Sequence, residues 1–166
     1  MKKIKLTKGY FTKVDDDDYE RLAKVKWMAG TGTNYISAVR TDYTNGKHIQ
    51  HMARAVVNAP IGKYVDHMNG DPLDNRKYNL RLCNSSQNQW NKKVAQKNNT
   101  TGYKGVVKEG KGFKAQIKAN RKLRYLGCFK SRAMAGMFYN LAALWYHGEF
   151  SRLNEITDNY KITKTP

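Results

Sequence analysis

Twenty-seven residues, from Val65 to Asn91, constrain this chain more than any other stretch: VDHMNGDPLDNRKYNLRLCNSSQNQWN. They begin as a strand ending on an Asp-His pair and pass through a loop rich in Gly, Pro and Asn. They return as a second strand at LRLC and continue as a helix that Ser85 or Ser86 is placed to cap. A strand, a loop, a second strand and a helix form a small finger whose interior can hold one metal ion.

That order brings Asp66, His67 and Asn88 within reach of one another. Asp66 and Asn88 both offer hard oxygen donors, which suit Mg²⁺ or Mn²⁺ better than zinc, with phosphate oxygens and water completing an octahedron. His67 would stand beside the ion. Its unperturbed pKa lies closest to neutrality, so it suits taking a proton from a water that attacks phosphorus while the ion stabilises the departing 3′ oxygen. Each residue also has a plainer reading: a lone histidine is more often a hydrogen-bonded structural group, and a lone asparagine a turn residue or a cap. Asp71 and Asp74 are the nearest rival ligands, but Asp71-Pro72 has turn chemistry and Asp74-Asn75-Arg76 reads as a loop brace. Lys92, one helical turn after Asn88, suits a DNA phosphate contact.

The whole chain is strongly basic: 31 Lys and Arg against 13 Asp and Glu give a formal net charge of +18. A polyanion is the natural partner. Between Thr101 and Asn154 there are 11 basic residues against two acidic ones, Glu109 and Glu149, which marks that stretch as the main phosphate-facing surface. The 166 residues, 40% of them hydrophobic, suffice for two compact modules. Cys83 and Cys128 lack C-x-x-C spacing and are expected as reduced, mostly buried thiols. The start MKKIKLTKGY has no apolar signal core and no run approaches a bilayer span. A soluble protein of the cytoplasm, with no membrane partner, is therefore expected.

Lys3 to Val14 reads as a hairpin broken at Lys8-Gly9, and Asp15 to Asp18 open a helix carrying Tyr19, Leu22 and Val25. A metal site in the four aspartates is the alternative, with no further ligand nearby. Residues 34–40 and 47–52 form a second hairpin around Asn45-Gly46, followed by a short helix over 53–58 stopped near Pro60. Residues 94–101 are polar and aperiodic, a linker. Beyond it lie three strands at 104–108, 113–119 and 122–127, then a helix from about Ser131 to His147, capped by Ser131 and closed by Gly148. The tail 155–166 is polar and expected to be loosely held.

Asp66-His67, Asn79 and Asn88 match the HNH motif in its H-N-N variant, and the chain resembles phage-type HNH homing endonucleases. LTKGYFTKVDDDDYERL (6–22), HMAR (51–54), VDHMNGDPLDNRKYNLRL (65–82) and SSQNQWNKK (85–93) follow that family's usual order, so the resemblance covers roughly residues 4–93. It implies that Asp66 and Asn88 bind one divalent cation, that His67 is the general base, and that Asn79 holds the loop and the histidine strand in register. It also suggests that His51 and Arg54 pack or bind phosphate near the site. The source expected from the resemblance is a phage gene expressed in a bacterial host.

The second module resembles the DNA-binding domain of the plant apetala and ethylene-response-factor proteins, through Y-K-G-V (103–106), Y-L-G-x-F (125–129), Tyr139 with Ala142-Ala143, and G-E-F-x-R-L-N (148–154). In that family a three-stranded sheet lies in the major groove with the helix behind it. Alternation in the middle strand agrees: Lys114, Gln116 and Lys118 share one face, and Phe113, Ala115 and Ile117 the other. The resemblance implies DNA contacts from Lys104, Gln116, Lys118 and Tyr125, with Lys108, Lys114 and Arg124 as added candidates. Val107 and Leu123 stand where plant members carry arginine, so the plant target is not assumed.

The expected fold class is thus α+β: an N-terminal ββα-metal nuclease module (1–93, finger 64–93), a linker (94–101), a three-stranded antiparallel sheet on one helix (102–154) and a tail. The last helix is apolar on both sides. Ala135, Tyr139, Ala142, Ala143 and Tyr146 face the sheet, while Met134, Met137, Phe138, Leu141 and Trp145 need cover from the nuclease module, the tail or a second copy in a homodimer. The expected function is a metal-dependent endonuclease on double-stranded DNA, a homing enzyme or nickase. A non-catalytic DNA-binding regulator is the alternative. A protein of structured RNA is a third reading, which a sheet made for the major groove disfavours.

Overall fold

The structure is a computed structural model and describes residues 1–32, 35–44, 46–92 and 99–157. The chain forms two compact units, Met1–Gln89 and Trp90–Pro166.

In the first unit β1 (Lys2–Lys5) and β2 (Phe11–Val14) make the expected hairpin. The helix α1 (Asp16–Ala23) follows. Strands β3 (Met28–Thr31), β4 (Ile36–Asp42) and β5 (His48–His51) form an antiparallel sheet in that order, and α2 (Met52–Val56) is the short helix expected after it. The β3 strand carries no alternation a sequence reading would catch. It is helped by Gly30: a Cβ there would lie 2.7 Å from a methyl of Val39 in the neighbouring strand, so a larger residue would force Val39 to move. Asn34 and Asn45, read as strand and turn residues, lie outside the described residues. Next come β6 (Tyr64–His67), β7 (Leu80–Cys83) and α3 (Ser85–Trp90), the strand–loop–strand–helix order of the finger.

The core of this unit joins Ile4, Leu6, Val14, Leu22, Trp27, Met52, Val56 and Leu80. Leu80, on the second finger strand, lies in the same cluster as the N-terminal hairpin. Burial of these side chains, about 1.5–3 kcal/mol each, therefore holds the finger to the rest of the unit.

The second unit is built from β8 (Val106–Glu109), β9 (Gly112–Ala119) and β10 (Lys122–Phe129), antiparallel with β9 central, and α4 (Arg132–His147). Ser131 caps α4, its hydroxyl accepting from Ala133 N at 3.2 Å, and Gly148 ends it at φ 54°. Ala115, Ile117, Ala135, Tyr139 and Ala143 are buried between sheet and helix. The Y-K-G-V turn depends on Gly105, because the Tyr139 ring would come within 2.0 Å of a Cβ there. Trp90 stacks on His147 with ring centroids 4.2 Å apart. The units thus divide upstream of the 94–101 segment. Within that segment Asn99 and Thr101 bond to the carbonyls of Tyr103 and Val106.

Two expectations are corrected. Cys83 is buried but Cys128 is exposed, because it pairs with Lys114 on the outer face of the sheet. The tail does not cover the second face of α4 with its described residues: Ile156 packs instead at Gly136 and Tyr103, leaving Met137, Phe138, Leu141, Leu144 and Trp145 exposed.

Candidate active site and DNA interface

In the hairpin register Asp66 pairs with Arg81 and His67 with Leu80. Asp66 is buried, and Nε and Nη2 of Arg81 both donate to its Oδ2, at 2.9 and 2.7 Å. A carboxylate removed from water needs such a counter-charge. Arg81 escaped the sequence reading, which lacked the strand register; the residue facing Asp66 across a tight hairpin was the available signal.

His67 ends β6, its Nε2 3.2 Å from Oδ1 of Asn75. Burial lowers its pKa below the ordinary value, with Asn75 and the carboxylates of Asp66, Asp71 and Asp74 pulling the other way. The ring is therefore kept towards its neutral, proton-accepting form.

The loop between the strands is held from inside by Asn79. Its Oδ1 accepts from Asn69 N at 3.0 Å, and its Nδ2 donates to Asp74 O at 2.8 Å. Asp74 braces the loop: both its oxygens accept from the Arg76 guanidinium at 2.7 Å, and Oδ2 also accepts from Asn69. Asp71 makes turn contacts, accepting from Leu73 N and bonding through its own N–H to Asn69 Oδ1.

The loop is also clamped from outside by the N-terminal hairpin. Lys13 N donates to Leu73 O, and Asn75 N to Lys13 O. Thr12 Oγ1 donates to Leu73 O and accepts from Asn75 Nδ2, each at 2.8 Å. The four-aspartate run is absorbed in the same frame. Asp15 accepts from Lys77 N at 2.7 Å, Asp18 lies within 2.9 Å of both Arg21 and Lys77, and Asp16 pairs with the N-terminus. Asp15, Asp16 and Asp18 thus meet protein partners, which gives the run a structural use.

The helix α3 starts on a reciprocal cap: Gln87 N donates to Asn84 Oδ1, and Asn84 N to Gln87 Oε1, at 2.9 and 2.8 Å. The cap is thus Asn84, not Ser85 or Ser86. Asn88 follows on this helix, half-buried. Among the described residues no three His, Cys, Asp or Glu side chains gather as a metal cluster. The expected set is of another kind, one carboxylate and one amide oxygen, and such hard donors fit a divalent cation. His51 is exposed at the end of β5, and the Arg54 guanidinium clamps the carbonyls of Ala59, Pro60 and Lys63.

In the second unit the register sorts the candidate DNA contacts. Lys114, Gln116, Lys118 and Tyr125 lie on the outer face, with Val107 and Leu123 among them. Lys118 is exposed, as are Tyr125 and Leu123, whereas Lys114 is paired with Glu109. Arg124 lies opposite buried Ile117, on the helix side, with its guanidinium 5.0 Å from the Tyr146 ring centroid. The register thus sets Arg124 apart from the outer-face candidates. Lys108 faces the same way, opposite Phe113, though exposed at its strand end. Lys104 is also used internally: Nζ donates to the carbonyls of Trp90 and Lys92, and burial pulls its pKa down to about 8. The Lys92 side chain is exposed.

The HNH endonuclease family profile matches residues 55–90, which span the Asp66-His67 strand, the Asn79 loop and the Asn88 helix. An uncharacterized HNH endonuclease of Acanthamoeba polyphaga mimivirus is 30% identical over 154 residues, covering 90% of this chain and 77% of the relative. Protein 3.8 of Escherichia phage T7 is 35% identical over 112 residues, covering 64% of this chain and 88% of the relative. No solved structure matches the chain. The chain belongs to the HNH endonuclease family and is a DNA endonuclease. A non-catalytic regulator therefore loses its support. No helix among the described residues is long and apolar enough to cross a membrane.

Proposed function

We propose a metal-dependent endonuclease that nicks double-stranded DNA, with residues 1–93 as the nuclease module and residues 102–154 as a reader of the apetala type. The observation that carries this reading is the pair at the end of β6. Asp66 and His67 are neighbours, yet each is held by its own partner, Arg81 and Asn75. His67 takes the proton from the attacking water. Asp66 and Asn88 would hold one Mg²⁺ or Mn²⁺, which when bound supplies positive charge at the departing 3′ oxygen. Because Arg81 already balances the charge of Asp66, the scissile phosphate is the remaining negative ligand. Asn79 keeps the loop beneath the strand end and acts through position.

The test is a metal titration. Asn88→Ala is expected to raise the Mg²⁺ concentration for half-maximal nicking about 10-fold or more, with Asn88→Asp near wild type. An unchanged titration in Asn88→Ala would remove Asn88 from the site.

The outer face of the sheet supports DNA reading by Lys114, Gln116, Lys118 and Tyr125, with Lys92 and Lys108 as exposed phosphate partners. Lys118→Ala is expected to weaken binding on all sequences and to reduce the slope of log affinity against log salt by about 1. An unaltered slope in an anisotropy titration would exclude a phosphate contact. One site per chain nicks one strand, and the exposed face of α4 is the surface we assign to a second copy when both strands are cut. The viral and phage relatives support a phage gene acting in the host cytoplasm, as a homing enzyme or nickase.

A further inference from the structure

Asn75 belongs to no motif residue singled out as catalytic, yet it is almost fully buried against His67. Its amide is oriented by what lies on the other side. Thr12, itself fully buried, has one hydroxyl hydrogen, and that hydrogen goes to the carbonyl of Leu73 at 2.8 Å. A carbonyl only accepts, so Thr12 Oγ1 is left to accept, and the group facing it must be a donor. Asn75 Nδ2 fills that position at 2.8 Å, with the Pro72 carbonyl 3.5 Å away as a second acceptor. Turning the amide over would set its oxygen against the Pro72 carbonyl and would draw the Thr12 hydrogen away from Leu73 O. Asn75 Oδ1 therefore points to His67, and an oxygen of this kind only accepts, so the imidazole Nε2 carries the hydrogen and donates.

We infer that Asn75, oriented by Thr12, is a positioning residue that holds His67 as the Nε2–H tautomer and so places the ring's lone pair on Nδ1. The inference rests on the assignment of His67 as the base and names the atom that receives the water's proton. The lone pairs of the two imidazole nitrogens point in widely different directions, so a base in the wrong tautomer points its lone pair into the loop rather than at the water. The relay runs from β2 through the loop to the end of β6, which gives the N-terminal hairpin, sixty residues upstream, a part in the chemistry.

The test is long-range ¹H–¹⁵N correlation of the full-length protein above the titration range of His67, with His67→Ala identifying the ring. The expected result is the Nε2–H pattern in wild type; an Nδ1–H pattern overturns the inference without any variant. Asn75→Ala is expected to lower kcat about 10- to 100-fold with KM changed less than about twofold, and to shift the His67 signals towards a tautomer mixture. Thr12→Val is expected to act in the same direction more weakly, and Thr12→Ser to restore wild-type behaviour. Wild-type kcat and an unchanged tautomer in folded Asn75→Ala would overturn the inference. Failure of the base assignment is distinguishable: His67→Ala would then cut at the wild-type rate, whatever the tautomer.

Discussion

His67→Ala is expected to cut DNA about 10²–10⁴-fold more slowly than wild type in single-turnover assays, the usual range for loss of a general base. DNA affinity should stay within about twofold, because the basic sheet face lies in the second unit and His67 carries no charge when neutral. Burial holds its pKa low, so the wild-type ring is already in the accepting form at neutral pH. The fold should survive: the substitution deprives Asn75 of one partner on its oxygen and leaves the contacts of Asn75 with Thr12 and Lys13 in place. Gel shift and circular dichroism on the same preparation separate the three effects. A variant that binds, folds and still cuts at the wild-type rate would remove His67 from the chemistry.

Asn79→Ala is expected to destabilise the protein by about 2–4 kcal/mol. The substitution leaves the Asn69 N–H and the Asp74 carbonyl without their partner inside a closed loop, and each unsatisfied buried group costs about 1–3 kcal/mol. Asn79→Asp should cost at least as much: one oxygen can still accept from Asn69, but the other is set, buried, against the Asp74 carbonyl, acceptor against acceptor. Urea unfolding measures the difference as a shift in midpoint at constant slope. A loss under about 0.5 kcal/mol for Asn79→Ala would show that the loop is held by the outer clamp of Thr12, Lys13 and Asp15 alone.

These two residues also show what a sequence can disclose. The strand–loop–strand–helix order that carries Asp66, His67, Asn79 and Asn88 was legible because it is a local pattern. The alternation of Lys114, Gln116 and Lys118 was legible for the same reason, since a period of two is a local property. What remained hidden depends on register and on distant contacts. Arg81 meets Asp66 only once the hairpin is paired, and Thr12 reaches Asn75 across 63 positions. The segment Leu123-Arg124-Tyr125 breaks the usual rule: its apolar residues face outward and its arginine lies on the helix side over Tyr146, so hydrophobicity alone misassigns it. Lys104 had the composition of a phosphate contact, and only the path of the backbone at Trp90 and Lys92 reveals it as a donor to carbonyls.

The central claim is that this chain breaks phosphodiester bonds with a divalent cation held at Asp66 and Asn88 beside His67. The most direct measurement is conversion of supercoiled plasmid to open circle by the wild-type protein with Mg²⁺ or Mn²⁺, alongside the same reaction in EDTA. Open circles with either ion and none in EDTA are the predicted result. Cleavage undiminished by EDTA, or none with either ion from protein that binds the DNA, would contradict the account.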